Sequence, residues 1–482
     1  MERAVEVFEN MIRWQHPLVM HNINPSPLID TVAFRVLVNL YNPNCLWDYV
    51  SGQFIPFEKE VIYKLKELIQ WNKDLVDGVF TFGGKASLIY AVKIGINKSD
   101  RSTITQGIVN KDYVVITSDS CHYSIEYVCN LLGLGTSNCI RVKVDKKDRV
   151  VLSVFKEILI KLIQQKKKIA CIILSGGNSI NNAIDPIKSI YAIVQSLVKN
   201  FKLDYTPHIH VDSVIGWLWL VFRKFNFEQK SYYVNSDIIK KINKTYKKIA
   251  QIKYADSAGI DFHKNAFSPY NTSVFLVRDK KHLDSINRMT LIENQLDKPG
   301  NNFIQHHTIE HSRSGDGIIS AWIALQEIGY DGFQNYVIQM MKIKDKLLSS
   351  LNKDEFKIIN EFGEGFCIAV IPIIQQYTNM YSNLNIVSGE IIEEMNTYCF
   401  NFFGFISRNN SKMVPILGFA ANYQSFLNIK CLNILKIYPM SPFVGSKEIN
   451  RFMKLLNSEK VCFDKLPTKP LTANEFKANY PK

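Results

Sequence analysis

The 482-residue chain has nine cysteines, an odd number, and no two of them stand in a Cys-x-x-Cys pair. A disulfide framework and a zinc ribbon both need spacings that are missing here. Most of the cysteines lie among apolar neighbours, so reduced, buried thiols and a cytoplasmic setting are expected. No stretch approaches the roughly 20 apolar residues that a bilayer-spanning helix requires; the strongest run, Val214 to Phe222, is ended by Arg223. Met1-Glu2-Arg3-Ala4 leads into a mixed amphipathic segment, and no signal peptide is expected. Internal repeats and low-complexity linkers are missing too. So is a Walker-type phosphate loop: around Gly84-Lys85, Val79 occupies the place of the first glycine and Ala86 that of the Ser or Thr.

What is present is a 46% hydrophobic chain long enough to bury a large core in two or more domains. Its net charge of +14 raises the question of a polyanionic partner. The basic residues, however, are scattered among Asn and Ile. The denser clusters, Lys166-Lys167-Lys168 and Lys240-Lys241 through Lys244 to Lys247-Lys248, have only Tyr246 as an interleaved aromatic. A solvated surface is expected, with no specific nucleic acid and no membrane as partner.

Residues 1–72 read as helices broken at Pro25-Ser26-Pro27 and Asn42-Pro43-Asn44. From about 73 the pattern alternates between apolar strands and amphipathic helices: Val79 to Phe82 then Ala86 to Lys98, Tyr113 to Thr117 then Ser124 to Leu132, Ile169 to Leu174 then Pro186 to Lys199. The further strands are His208 to Val211, Ala258 to Ile260 and Val274 to Val277. Near-continuous apolar strands alternating with helices predict a mainly parallel sheet covered on both faces, with chemistry at the strands' carboxyl ends. Beyond about 340 the rhythm changes to that of a smaller α+β domain. The expected division is 1–72, 73–340 and 341–482.

Four elements collect at those carboxyl ends. Thr81-Phe82-Gly83-Gly84-Lys85-Ala86-Ser87 is a glycine turn entering a helix, whose unpaired amides and dipole favour an anion; by itself such a turn is ordinary. His122, in Ser118-Asp119-Ser120-Cys121-His122-Tyr123-Ser124, is either a stacking ring for a flat cofactor or a helix-capping histidine. Asp212 ends an apolar strand, where a carboxylate needs a donor or a cation. His208 and His210 alternate onto one face of that strand, but no third ligand has suitable spacing and no metal is expected. Lys264 lies in a small-residue, weakly charged setting and can be a nucleophile. An anion cradle, a stacking ring, a buried carboxylate and a lysine amine are together what pyridoxal phosphate demands.

The stretches Phe80-Thr81-Phe82-Gly83-Gly84, His122-Tyr123-Ser124-Ile125-Glu126, Leu131-Leu132-Gly133-Leu134-Gly135-Thr136, Ala183-Ile184-Asp185-Pro186-Ile187, His210-Val211-Asp212, Asp261-Phe262-His263-Lys264 and Ser312-Arg313-Ser314-Gly315 carry a resemblance. They are similar to those of the group II pyridoxal-phosphate-dependent amino-acid decarboxylases, which include the glutamate, histidine and aromatic amino-acid decarboxylases. The resemblance implies the aspartate-aminotransferase-class (type I) fold, a mainly parallel seven-stranded sheet between helices with a smaller C-terminal α+β domain. It implies a homodimer with shared sites, clasped by the N-terminal segment, and decarboxylation of an L-amino acid to the amine and CO2. Lys264 would carry the cofactor as a Schiff base, Asp212 pair with the pyridine nitrogen, His122 stack on the ring, and Gly83 and Gly84 hold the phosphate with His263.

The sequence also departs from that pattern. Lys85 stands where a hydroxyl residue usually reaches the phosphate and can serve there through its charge. Asn178-Ser179 replaces a Thr-rich turn at the cofactor, and Val214 replaces an alanine that packs on the ring. Between about 295 and 311 the expected tyrosine is missing, and His306, His307 and His311 are candidate proton donors or simply a polar loop. Transamination, lyase chemistry, a catalytically degenerate cofactor-binding scaffold and a basic polyanion-binding protein remain alternatives.

Overall fold

The computed structural model describes residues 3, 6–8, 11–109, 112–228, 235–286, 307–408, 416–423 and 431–466. They divide into two compact units, Ser26–Asn178 with Asn182–Val337, and Met1–Pro25 with Ser179–Asn181 and Ile338–Lys482. The segment 1–72 is shared between them, its residues to Pro25 in the second unit and the remainder in the first. Among the described residues the strands in chain order are β1 (Val19–Met20), β2 (Asp77–Thr81), β3 (Tyr113–Ser118), β4 (Cys139–Val142), β5 (Lys168–Ser175), β6 (His208–Asp212), β7 (Ser257–Asp261), β8 (Ser273–Val277), β9 (Phe356–Ile358), β10 (Ile368–Pro372), β11 (Ile416–Tyr423) and β12 (Leu432–Ile437). The helices that bear on the site are α1 (Ile29–Tyr41), α2 (Phe54–Ile69), α3 (Gly84–Ser99) and α4 (Ser124–Leu131).

The larger unit is built on a seven-stranded sheet of order β2-β8-β7-β6-β5-β3-β4. Strands β3 to β7 pair parallel. That arrangement suits their apolar runs, because helical crossovers cover both faces and leave no polar side. β8 returns after a short connection and is antiparallel to both β7 and β2. Two antiparallel pairings in succession leave β2 pointing the same way as β7, so its glycine turn emerges at the edge where the parallel strands end. α3 lies tightly on the sheet at Gly95, where a Cβ would stand 2.3 Å from the Ala170 carbonyl oxygen. Tyr90, Val92, Ile94, Val115, Cys171 and Phe275 form part of the core between them.

The apolar run Val214 to Phe222 becomes a buried 3-10 segment, Gly216–Lys224, with Trp217, Trp219 and Phe222 inside. The smaller unit carries a five-stranded sheet of order β1-β11-β12-β10-β9, antiparallel except where β1 meets β11. Helix Gly389–Arg408 packs on it through Met395, against Ile371 and Ile434. All nine cysteines are free; Cys45, Cys121, Cys129, Cys171, Cys367 and Cys399 are buried, and Cys462 is exposed. No helix among the described residues is long and apolar enough to cross a membrane.

Candidate active site

Strand register puts the chemistry on one edge of the large sheet. Thr81 pairs with Ser273, which pairs with Asp261, so the ends of β2 and β7 share a row across β8. Asp212 pairs with Gly259 on one side and Ser175 on the other, which brings the end of β5 to the same edge. Gly83, His122, Asn178, Asp212 and Lys264 therefore all stand at or just beyond carboxyl ends of strands. Backbone space confirms the convergence of two of these ends on a third: a Cβ on Gly84 would lie 3.1 Å from Asp261 Oδ2 and 3.1 Å from Val214 Cγ1.

The setting of Lys264 is not weakly charged, as its sequence neighbours suggest. It sits in the single turn Phe262–Asn265 that follows β7, and a turn of helix returns its side chain over Asp261. Lys264 Nζ lies 2.9 Å from Asp261 Oδ2; the carboxylate is 1% exposed while the lysine side chain keeps 28%. Ser273 Oγ donates to the other oxygen, Oδ1, at 2.6 Å. Burial acts to lower the Lys264 pKa, but the charges of Asp261 and then Asp212 outweigh it, and the ammonium is held above the ordinary lysine range. Asp261 is the site residue that sequence reasoning left without a role, although it stands three positions before the lysine, the spacing that one helical turn brings together.

Asp212 carries the opposite signature. Burial pushes its carboxyl up to about 6, the Lys264 charge pulling it down and Asp261 adding to the rise. Its Oδ1 is buried and has no hydrogen-bond partner among the described residues. An orphaned acceptor of that kind calls for a donor with a positive charge.

His122 is fixed from two sides. Its Nδ1 accepts the Ser124 amide N–H at 3.2 Å and lies 2.7 Å from Ser124 Oγ; its ring stacks on Tyr123 at 4.3 Å. The pKa is lowered to about 4, by burial first and then by Lys264, Lys85 and Arg141, so the ring is neutral at pH 7. Arg141, on the short strand β4, donates to the carbonyls of Ser118 (2.8 Å), Asp119 (3.3 Å) and Cys121 (3.2 Å). The same guanidinium pairs with both oxygens of Glu126 on α4. It thus ties together the loop that presents His122. Nothing in the sequence around Arg141 signals this.

The glycine turn opens α3 with Gly83 at the cap, φ +138°, no side-chain cap and open space where a side chain would be. The first amides of a helix have no intrahelical acceptor and suit an anion. Lys85 lies in that first turn with Nζ 4.2 Å above the Tyr127 ring. Its charge reaches the site, since it depresses His122. His263 is buried, with Nδ1 accepting the Thr272 amide at 3.2 Å and Nε2 3.5 Å from Asp261 Oδ2; burial lowers its pKa. Asn178 uses its side-chain oxygen to accept the Ala183 amide at 3.3 Å, closing its own turn.

His208 and His210 do share a face, and both rings meet Ser257 Oγ, at 2.7 and 2.8 Å. No group of three or more His, Cys, Asp or Glu suited to a metal occurs among the described residues. Of the loop histidines, His306 lies outside the described residues, and His307 is engaged by Asp284 at 3.1 Å. Arg313, in the last of the resembling stretches, belongs to a buried pair with Glu58 and donates to the Phe80 carbonyl at 3.2 Å, near the end of β2.

The set fits pyridoxal phosphate. An unpartnered buried carboxylate oxygen answers the protonated ring nitrogen, a neutral imidazole answers the ring face, uncapped helix amides answer the phosphate, and a half-buried amine answers the aldehyde.

Comparison with known proteins gives a consistent picture. The family model described as the pyridoxal-dependent decarboxylase conserved domain matches residues 6–369. The chain is 24% identical over 411 residues to acidic amino acid decarboxylase GADL1 of Bos taurus, covering 82% of this chain and 72% of that one. It is 23% identical over 410 residues to the Homo sapiens protein of the same name. The fold superposes on mouse CSAD in its apo form with a TM-score of 0.77 at 19% identity, over 95% of this chain and 87% of that one. For Oryza sativa TDC with PLP and tryptamine the TM-score is 0.75 at 11% identity, over 95% and 86%.

Proposed function

Since the chain belongs to the pyridoxal-dependent decarboxylase family, and is an amino-acid decarboxylase with pyridoxal phosphate as its cofactor, we propose that Lys264, Asp212 and His122 carry that reaction. Bound pyridoxal phosphate supplies an electron-poor ring that accepts the electron pair left when the α-carboxylate departs as CO2.

Each side chain then has a task at a stated atom. Lys264 Nζ would hold the cofactor, at the point where a substrate amine would take its place. Asp212 Oδ1 holds a proton on the ring nitrogen, because an adjacent negative charge in a buried setting favours the cation and strengthens the electron sink. His122, neutral and locked through Nδ1, covers one ring face and excludes water from it. The amides of Gly84 and Lys85 at the start of α3, with the Lys85 charge and His263, would hold the phosphate. Asn178 supports the site by closing the turn after β5.

Support for this reading comes above all from Asp212 Oδ1, a buried acceptor atom with no hydrogen-bond partner among the described residues, on the same strand edge as Lys264. The relatives named as acidic amino acid decarboxylases make acidic L-amino acids the substrates to try first. We further propose a cytoplasmic homodimer in which residues 1–72 clasp the partner. α1 presents Ile29, Val36, Leu40 and Tyr41 to solvent in the single chain, an apolar surface that a second copy would cover.

Release of CO2 from acidic, aromatic, basic and sulfinic L-amino acids, measured with purified protein and added cofactor, tests the reaction. Release from at least one class, lost in Lys264→Ala, is expected. Unchanged release in Lys264→Ala would end the assignment of that lysine. Sedimentation with and without cofactor tests the dimer.

A further inference from the structure

Asp261 is not accounted for by the roles above. It is 1% exposed, yet it touches the attachment lysine directly, at 2.9 Å, and it lies against the start of the anion-binding turn through Gly84. A buried carboxylate in that place has two effects. It stabilises the ammonium form of Lys264, which cannot attack a carbonyl, and it puts a negative charge beside the seat of a phosphate.

We propose that Asp261 holds Lys264 as an ammonium ion in the cofactor-free protein, so that the amine must lose a proton to solvent before pyridoxal phosphate attaches, and that Asp261 thereby sets the pH range of cofactor uptake. The proposal rests on the reading of Lys264 as the attachment point. The step balances without a redox partner: the ammonium must first give up one proton to solvent, a C=N bond then forms between Nζ and the aldehyde carbon, and the aldehyde oxygen leaves as water with the remaining two amine hydrogens. The contact of 2.9 Å between the two heavy atoms is short enough for the carboxylate to favour the charged amine directly. Ser273 Oγ, bound to the other carboxylate oxygen at 2.6 Å, keeps Asp261 oriented toward the amine.

The groups that bias Lys264 come from every element around it. Asp261 and then Asp212, from β7 and β6, favour its charge, and Tyr270 in the loop before β8 adds to them when ionised. Lys264 in turn depresses His122, beyond β3, and His263, its chain neighbour. Both histidines are lowered below their ordinary range, and Asp261 and Asp212 are the two carboxylates whose charge opposes that of Lys264. Of these Asp261 alone is shown within hydrogen-bond distance of Nζ. Removing its charge therefore shifts the balance further than any other single change short of the lysine.

The test is uptake of pyridoxal phosphate by the full chain stripped of cofactor, quenched with borohydride at intervals and read by mass spectrometry as the reduced adduct on the Lys264 peptide, across pH 6 to 10. Asp261→Asn is expected to lower the midpoint pH of uptake by about one unit, equivalent to about tenfold faster labelling on the acid limb. A midpoint unchanged or raised would overturn the proposal. Should the variant not fold, the wild-type chain decides: competitive acylation of the cofactor-free protein should place the titration of Lys264 above that of the exposed lysines, and a titration below theirs is the overturning result. An adduct on a different lysine, in either protein, is a failure of the attachment reading and not of the Asp261 argument.

Discussion

Arg141 and Glu126 form a two-point ion pair between β4 and α4, and the same guanidinium gathers the carbonyls of Ser118, Asp119 and Cys121. The pair keeps 24% and 31% of its side chains exposed, so its Coulomb energy alone is modest. The carbonyl bonds matter more, because they hold the loop on which His122 stands. Arg141→Leu is therefore expected to weaken pyridoxal phosphate binding by roughly tenfold, the effect of about 1.4 kcal/mol of lost positioning. Arg141→Lys, which keeps the charge but not the fork, should recover only part of it. A role in folding alone would lower the melting temperature and leave the dissociation constant and the visible circular dichroism of the bound cofactor unchanged.

Asp212→Asn keeps the shape of the side chain and removes its charge. The ring nitrogen then loses the group that keeps it protonated, and kcat is expected to fall by roughly 10²-fold or more. KM should change far less, since the amide still fills the same space. Steady-state kinetics on the preferred amino acid, with cofactor saturating, checks this, and a kcat within threefold of wild type contradicts the role.

The parts of the site carried by apolar runs and small motifs were legible before the structure. Asp212 could be placed at a strand end because His208 to Val211 is a continuous strand signal, and Gly83-Gly84 because a glycine pair separates a strand from a helix. Partnerships formed through space were not legible. Asp261 meets Lys264 only because the chain turns helical for four residues after β7, a turn with no cap or periodicity to announce it. Arg141 lies on Cys139–Val142, a half-buried strand too short to show a pattern. The antiparallel entry of β8 between β2 and β7 depends on a long-range choice of neighbour, which hydrophobic periodicity does not encode.

Glu58 of α2 and Arg313 bind through paired contacts of 2.8 and 2.9 Å, with side chains 0% and 5% exposed. Glu58 Oε1 also accepts the Phe80 amide, and Arg313 donates to the Phe80 and Cys45 carbonyls, so the pair ties α2 to β2 just before the glycine turn. Removing one member leaves a buried charge unpaired. Glu58→Gln is expected to cost about 3–5 kcal/mol of stability, read as a shift of the denaturant midpoint. The double variant Glu58→Leu with Arg313→Met should lose less than Glu58→Gln alone; a larger loss would show that the carbonyl contacts, and not the unpaired charge, dominate.

Three histidines near one end of the large sheet are neutral in the folded chain for a common reason. Burial lowers His210 to about 3 and His282 to about 4, and lowers His208 well below its ordinary value. His208 and His210 share the hydroxyl of Ser257, whose single proton can serve only one ring at a time. In the unfolded chain each histidine titrates near 6.5. The folded pKa values lie below the unfolded ones, so the unfolded state binds more protons under mild acid. The stability these rings confer is complete above about pH 6.5 and is lost as the pH falls toward 4 and 3, by up to about 1.4 kcal/mol per pH unit for each histidine. Urea midpoints between pH 7 and 5 should therefore fall more steeply in the wild type than in His210→Gln, whose remaining side chain has no proton to take up. Equal slopes in the two proteins would place the acid sensitivity elsewhere, in the carboxylates paired across the sheet.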